Sequence, residues 1–600
     1  MRILLLTSAF NGLTQRAWIE LRRSGHRVTV ELALSPEAIR DAVRLSDPHL
    51  IICPFLRERV PDDIWTTRRT IIIHPGPVGD RGPSSLDWAI LEGASTWGVT
   101  ALQALAEMDA GPIWSTREFA VPPGISKSAL YNGPVTDAAV AVIHDVVDKA
   151  QVVGFLPTPL DSIPAHRLRG RLRPSTRADD RRIDWDIDTT SDVLRKVAAS
   201  DGSPGAPCLL FGEQLRAFDA SPVVALPVPA QARNGECENT LLSRRDGAVL
   251  VPTVDGAVWI GHLRRAGQPK LPANLVIPDH VQPLPAATSE IPDPDAGRDV
   301  RYHRHGPVGW ISFDFYNGAM STEHCRRLLA AFTWASQQDT HVIVLRGGNT
   351  FFSNGIHLNV IEAADRPATA AWVNIDAMDD LCQAVITCTN QLVVAGVSGN
   401  AGAGGVMFAL GADLVAARIG VVLNPHYDNM GLYGSEYWTY TLPRRVGKDV
   451  ATALTTDCLP VGDAEAADMG LVDRLLPHDP QDYDNALLAL ADELAGAGWQ
   501  EALDAKTSRL AADEAEIPLE VYRTRELSRM AVNFFTENRH ADLRRAFVFK
   551  EKAAATPQNI ALHRHSVAWR VDVQASSVPD TSITTIGAQS PEILTPAPTT

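Results

Sequence analysis

The sequence predicts an α/β protein in which an N-terminal parallel-sheet domain and a C-terminal α/β domain with a helical tail flank a small β-barrel-like module. Three observations carry this expectation. Apolar runs of strand length alternate with helix-like stretches in both outer parts of the chain, as when covering helices join parallel strands. Residues 205–265 instead hold closely spaced strand-like pieces with Asp-Gly turns, the signature of an antiparallel unit. At 600 residues the chain is also too long for a single core.

Arg2–Thr7 is the first apolar run; it ends in Ser8-Ala9-Phe10-Asn11-Gly12, and a helical pattern begins near Thr14. Val28–Leu34, His49–Pro54 and Thr70–His74 are further strand candidates. Ligands of parallel sheets bind at the carboxyl ends of the strands, and His74-Pro75-Gly76-Pro77 lies at such an end. After a helical stretch near 126–151 come Cys208–Phe211, Leu241–Arg244 and Ala257–Leu263, with turns at Asp246-Gly247 and Asp255-Gly256. Residues 266–299, rich in proline and acids, read as a linker. Val308–Phe313, His341–Arg346 and Gln391–Val397 open the second α/β unit, and beyond residue 435 the pattern is mainly helical through Phe549-Lys550. The expected division is 1–165, 166–265, the linker 266–299, 300–570, and a disordered tail at 571–600, where Thr, Ser and Pro recur without periodicity.

A net charge of −16 argues against nucleic acid or an anionic membrane as the main partner, while leaving room for a local basic pocket. Seven cysteines are scattered without a CxxC pair, and no histidines cluster at ligand spacing. This predicts neither a disulfide framework nor a metal site, and a reducing cytoplasm. The opening MRILLLTSAF is too short for a signal peptide, and no run of 18 apolar residues exists. The expectation is a soluble cytoplasmic protein.

Two constellations carry chemistry. The first is His74, the turn-rich loop Gly79–Ser85, and Glu107-Met108-Asp109-Ala110-Gly111-Pro112. A histidine and a carboxylate on neighbouring loops can share a proton, as acyl transfer requires, although a lone strand-end histidine is more often structural. Residues 1–220 resemble the formyltransferase family that uses 10-formyltetrahydrofolate. The matching pieces are Ile71-Ile72-Ile73-His74-Pro75, Gly98-Val99-Thr100, Met108–Ile113 and Arg182-Ile183-Asp184-Trp185. That resemblance implies catalytic roles for His74 and Asp109. The family's asparagine position, however, is Ile72, and losing one oxyanion donor costs roughly 3–4 kcal/mol elsewhere. Either a backbone N–H substitutes, or the acceptor is an easier nucleophile such as a thiol.

The second constellation is a pair of loops, Asn349–Leu358 and Gly396–Gly405, each following a predicted strand. Glycines at a helix start free backbone N–H groups for a carbonyl oxygen. They also permit tight helix–strand packing. A dinucleotide loop is disfavoured, because the spacing is not G-x-G-x-x-G and no acid follows about 20 residues on. Residues 300–555 resemble the crotonase (enoyl-CoA hydratase/isomerase) family, which implies a CoA thioester held by the N–H groups of Ile356 and Gly404, beside Gly405. The hydratase acids are replaced by Met407 and His426, so water addition is not expected. Tyr427, Tyr433 and Glu436 become the titratable groups expected to face the acyl carbon, with Glu436 and Tyr427 catalytic; a structural alternative pairs Glu436 near Arg444. Arg544, Arg545, Lys550 and Lys552 lie where the family meets CoA phosphates, although a solvated face explains them nearly as well.

The fusion of two such halves, with the stretch Gly431–Tyr440, resembles the HypX (HoxX) family of hydrogenase maturation factors. This implies a bifunctional enzyme: formyl transfer from 10-formyltetrahydrofolate to coenzyme A, then decarbonylation of formyl-CoA to CO and CoA. It also implies hydrogenase maturation proteins as partners. Two rivals are a sugar-nucleotide formyltransferase, which leaves 300–555 unexplained, and a bifunctional formyltransferase whose crotonase-like half is a non-catalytic acyl-CoA-binding scaffold.

Overall fold

Six strands form the first sheet in the order β2-β1-β3-β4-β5-β6: β1 (Arg2–Thr7), β2 (Arg27–Leu32), β3 (Leu50–Cys53), β4 (Thr70–His74), β5 (Thr96–Gln103) and β6 (Ile113–Ala120). The computed structural model describes residues 1–223, 237–282, 284, 299–565 and 569. Strands β1 to β4 run parallel, whereas β5 and β6 pair antiparallel, so the expected parallel sheet is mixed at one edge. In β4 the side-chain period of two puts Ile71 and Ile73 in one core layer and Ile72 against the other. The helical stretch near 126–151 is Lys127–Ala150, with a wide turn at Tyr131–Val135 where Pro134 interrupts the ladder.

The middle module is an antiparallel sheet ordered β7-β8-β11-β10-β9, with β12 beside β11. Its strands are β7 (Ala206–Leu210), β8 (Glu213–Pro222), β9 (Ser243–Arg245), β10 (Ala248–Thr253), β11 (Gly256–Arg265) and β12 (Leu271–Pro272). Asp246 and Gly247, both at positive φ, form the two-residue turn between β9 and β10. The linker expectation needs correcting over residues 271–281. Ala273, Val276, Ile277 and Val281 pack into this module's core, an apolar spacing hidden by the prolines and acids around it. Residues 283 and 285–298 of the expected linker, and the expected tail 571–600, lie outside the described residues.

In the second half β13 (Val300–His305) lies antiparallel at the edge of β14 (Val308–Phe313), β15 (Val342–Arg346), β17 (Leu392–Val397), β19 (Leu414–Arg418) and β22 (Arg474–Leu476), which are parallel. A smaller sheet joins β16 (Phe351–Ser353), β18 (Asn400–Gly402), β20 (Val422–Asn424) and β21 (Val461–Gly462). Beyond it the chain is mainly helical. The C-terminal segment then returns to the first sheet: the Val30 N–H donates to the Ile560 carbonyl at 3.0 Å, and buried Glu31 pairs with His563 and Arg564. No helix among the described residues is long and apolar enough to cross a membrane.

Candidate active sites

His74 closes β4 and is 4% exposed. Its Nε2 is 2.9 Å from Asp80 Oδ2, while Asp80 Oδ1 accepts from Arg173 Nη1 at 2.9 Å. Because the carboxylate accepts, Nε2 carries the proton, and Nδ1 faces Asp109 Oδ2 at 3.6 Å. Asp109, at φ 54°, is held by the Gly82 N–H at 3.1 Å. A Cβ at Gly76 would lie 2.4 Å from both His74 Nε2 and Asp80 Oδ2, so only glycine permits their approach. The structure therefore brings His74 and Asp109 together, as the sequence suggested, and adds Asp80 and Arg173. Asp80 is lost among loop residues in the sequence, and Arg173 lies 99 residues after His74. Ile72 shares the strand face of His74 and is partly buried among Leu56, Trp65 and Cys53, leaving an apolar wall where the family has an amide.

In the second half, parallel pairing of β16 with β18 sets the two glycine loops side by side. A Cβ at Gly355 would lie 3.3 Å from the Gly404 nitrogen. Gly404 opens the helix Gly404–Leu410, and among the described residues neither its N–H nor that of Ile356 has a backbone acceptor. The two nearby glycines serve different ends. A Cβ at Gly405 would strike the Ser353 carbonyl oxygen at 2.1 Å, which is close packing. One at Gly404 would strike Glu436 Oε1 at 1.9 Å, so the carboxyl lies directly against the second N–H loop.

Glu436 is 2% exposed, and its Oε2 accepts from Tyr427 Oη at 2.7 Å and from the Ser435 N–H at 3.0 Å. Burial pushes its carboxyl up to about 7, against which these two hydrogen bonds pull down. Tyr427 is likewise pushed well above its ordinary value, by burial first and by the Glu436 charge second. Other expectations fail here. Tyr433 is 39% exposed and sets its ring at a tilt against Trp438, outside the carboxyl pocket. Arg444 lies over the Tyr440 ring and bridges Asp513 rather than Glu436. Asp379 and Glu526, both fully buried, surround Ser435 and Glu436; neither gave any sequence signal, because each comes from a distant helix.

The basic residues also divide. Arg544 is buried in an ion pair with Glu362 at 2.8 Å, which pins two helices, so it does not face a ligand phosphate. Arg545 shares that glutamate but is two-thirds exposed, and Lys552 is exposed. Lys550, still exposed, has other cations near it: partial desolvation, then Arg57 and Arg264, push its ammonium down. Lys270, pushed down to about 8 by burial with Lys550 and Arg264 nearby, donates to Tyr316 Oη at 2.9 Å. Tyr316 in turn lines a cavity of about 670 Å³ where the three modules meet, with Ser126, Asp201, Asp219 and Phe351. No group of three metal-ligating side chains occurs among the described residues.

Residues 176–278 match the formyl transferase C-terminal domain family, and residues 311–555 match enoyl-CoA hydratase/isomerase. Over 572 residues the chain is 45% identical to the hydrogenase maturation factor HoxX of Bradyrhizobium diazoefficiens, covering 94% of this chain and 97% of that protein. The chain belongs to the HoxX (HypX) family. Across this family's span, the crystal structure of HypX from Aquifex aeolicus in complex with tetrahydrofolic acid superposes with a TM-score of 0.88. That match is at 38% identity and covers 94% of this chain and 99% of that one. Methionyl-tRNA formyltransferase of Streptococcus pneumoniae is 25% identical over 203 residues, 32% of this chain and 56% of that protein. The HoxX-family chain thus joins a formyltransferase-type part to a crotonase-type part.

Proposed function

We propose that this chain makes carbon monoxide for [NiFe]-hydrogenase maturation in two steps, working in the cytoplasm. In the first, the CoA thiolate adds to the formyl carbon of 10-formyltetrahydrofolate, the carbon–nitrogen bond breaks, and the folate nitrogen takes a proton. His74 and Asp109 would manage that proton, with Asp80 fixing the imidazole's orientation. In the second, the N–H groups of Ile356 and Gly404 hold the oxygen of formyl-CoA and Glu436 removes the formyl proton. The carbon–sulfur bond breaks with its electron pair going to sulfur, CO leaves, and the proton returns to the thiolate. The CO would pass, through hydrogenase maturation proteins, to the hydrogenase iron.

The observation that carries this reading is the Glu436–Tyr427 pair set against the two N–H loops, in a half where Met407 and His426 replace the hydratase acids. Tyr427 occupies Oε2, which leaves Oε1, beside Gly404, for the acyl carbon. A carboxyl near 7 is poised as a base at neutral pH. The cation set Lys270, Lys550, Arg264 and Arg57 fits the phosphates of CoA, since burial first and repulsion among these cations second push both lysines down, and a bound anion would relieve the repulsion. The apolar wall at Ile72 suits a thiol acceptor.

Incubating the chain with 10-formyltetrahydrofolate and catalytic CoA tests the reading. CO should form in amount equal to the folate consumed, with CoA regenerated. Formyl-CoA accumulating without CO would reduce the second half to a scaffold, and no CoA formylation at all would remove both steps.

A further inference from the structure

Behind Glu436 lies a layer of carboxyls that these two steps leave unused. Glu436 and Tyr437 both adopt left-handed backbone, φ 63° and 58°, a strained conformation for a non-glycine residue that persists only where the surroundings enforce it. The enforcement is visible. Asp379, on the helix Pro367–Ile386, accepts the Glu436 N–H at 2.8 Å. Glu526, on the helix Leu519–Phe535, accepts the N–H groups of Tyr437 at 3.0 Å and Thr439 at 2.8 Å, and the Thr439 hydroxyl. Between them Ser435 Oγ is 2.8 Å from Asp379 Oδ2 and 3.3 Å from Glu526 Oε2.

A hydroxyl has one proton and can donate to only one of these oxygens at a time. If both carboxyls were ionised, the other contact would set two acceptors against each other in a buried pocket. The surroundings offer no relief. Glu436, Tyr427 and Tyr437 face the pair from the loop, Cys382 from the helix of Asp379, and Cys325 from the helix Thr322–Ala335. The cation Arg523, whose charge is felt at Asp379, is itself bound by Asp376 at 2.6 Å and Asp380 at 2.8 Å. Burial pushes Glu526 up as well, to about 7, but it has three further donors, two of them at the start of the helix Trp438–Val446, where the helix dipole favours an anion, so of the two it is the one that ionises first. Among the described residues Asp379 has only the Glu436 N–H besides Ser435. Burial, then Glu436 and Glu526, push Asp379 well above the usual carboxylate range.

We propose that Asp379 is a protonated positioning residue: its acid proton runs to Ser435 Oγ, whose own proton runs to ionised Glu526, and this chain clamps Glu436 in the turn that aims its carboxyl at Gly404. This rests on Glu436 being the base for formyl-CoA.

The test uses the full chain with supplied formyl-CoA. Asp379→Ala should slow CO release about 100-fold in kcat with KM little changed, as expected for a displaced reacting group, while formyl transfer to CoA, which checks folding, persists. Asp379→Asn should recover most of that loss, because an amide can accept from the Glu436 N–H and donate to Ser435. Infrared spectra at neutral pH should show a protonated-carboxyl band that Asp379→Asn removes. An unchanged band, or an Asn variant as slow as the Ala variant, overturns the proposal. The infrared result stands whether or not formyl-CoA is the substrate, whereas a normal CO yield from Glu436→Gln would sink the underlying reading alone.

Discussion

The His74 and Glu436 regions use the same materials and balance them oppositely. Around His74, Asp80 lies between the protonated Nε2 of the imidazole and the Arg173 guanidinium, and Asp109 accepts from the Gly82 N–H beside Nδ1. Around Glu436 three buried carboxyls share hydroxyls and N–H groups, and the Arg523 guanidinium near them is bound by Asp376 and Asp380. Carboxylates held by a guanidinium or a backbone N–H fix geometry, which suits a transfer between polar partners. Uncompensated burial instead lifts a carboxyl toward neutrality, which suits removal of a weakly acidic proton. One chain thus holds a charge-balanced site and a charge-starved one.

The largest expected effect separates them. Glu436→Gln should cut CO release from formyl-CoA by about 10³-fold, within the range of a lost general base, with formyl transfer to CoA intact and formyl-CoA accumulating. His74→Ala and Asp109→Asn should do the reverse. Single-turnover assays of formyl-CoA and CO decide it, and equal loss of both activities in one folded variant would break the two-site division.

Next in size is Tyr427→Phe. A hydrogen bond to a charged group is worth about 1.5–3 kcal/mol, so CO release should fall roughly 10- to 100-fold. Because the Tyr427 bond pulls the Glu436 carboxyl down, its loss should also move the rise of CO release with pH to higher pH. A reduced rate with an unmoved profile would mean that the tyrosine acts on the substrate and not on the glutamate.

Much of this contrast was legible in the residues, and some was not. Strand β4, ending at His74, and β14 stand where periodicity placed them, since period and length are local properties. The two glycine loops were legible for the same reason. Asp80, Arg173, Asp379 and Glu526 were not, because each matters only through a contact made across the fold. The basic residues on the last helix misled in part: charge is local, but whether an arginine meets a ligand or an internal glutamate, as Arg544 does with Glu362, is decided by packing. Residues 271–281 misled through composition, which blurs the apolar positions that pin them to the middle module.

A smaller effect is expected at the charge-balanced site. Ile72→Asn would restore an amide on the His74 face of β4, where Leu56, Trp65 and Cys53 belong to the same apolar cluster. If that cluster serves a thiol acceptor, CoA formylation should stay the same or fall about 2- to 5-fold, a loss of roughly 1 kcal/mol, while hydrolysis of 10-formyltetrahydrofolate rises. Tetrahydrofolate release measured with and without CoA reports both. A strong gain in CoA formylation would instead make Ile72 a simple defect.

The smallest effect probes the charge-starved site without any substrate. Burial raises the Glu436 carboxyl from 4.5 to about 7, so the folded state prefers its protonated form. Its contribution to stability is therefore fully present below about 4.5 and is lost as pH rises through about 7. In Glu436→Gln the side chain is neutral at every pH and loses nothing across that window. Asp379 and Glu526 are pushed upward by burial first and in part by the Glu436 charge, so its removal in the variant eases their ionisation and adds to the same trend. The Tm of the variant minus that of the wild type should thus climb by a few degrees between about pH 5 and about pH 8, since roughly 1 kcal/mol corresponds to about 2–4 °C in a domain of this size. Thermal unfolding followed across pH reads this directly. A flat difference would mean that Glu436 is ionised throughout in the folded protein, and the pocket would then be charge-balanced like the one around His74.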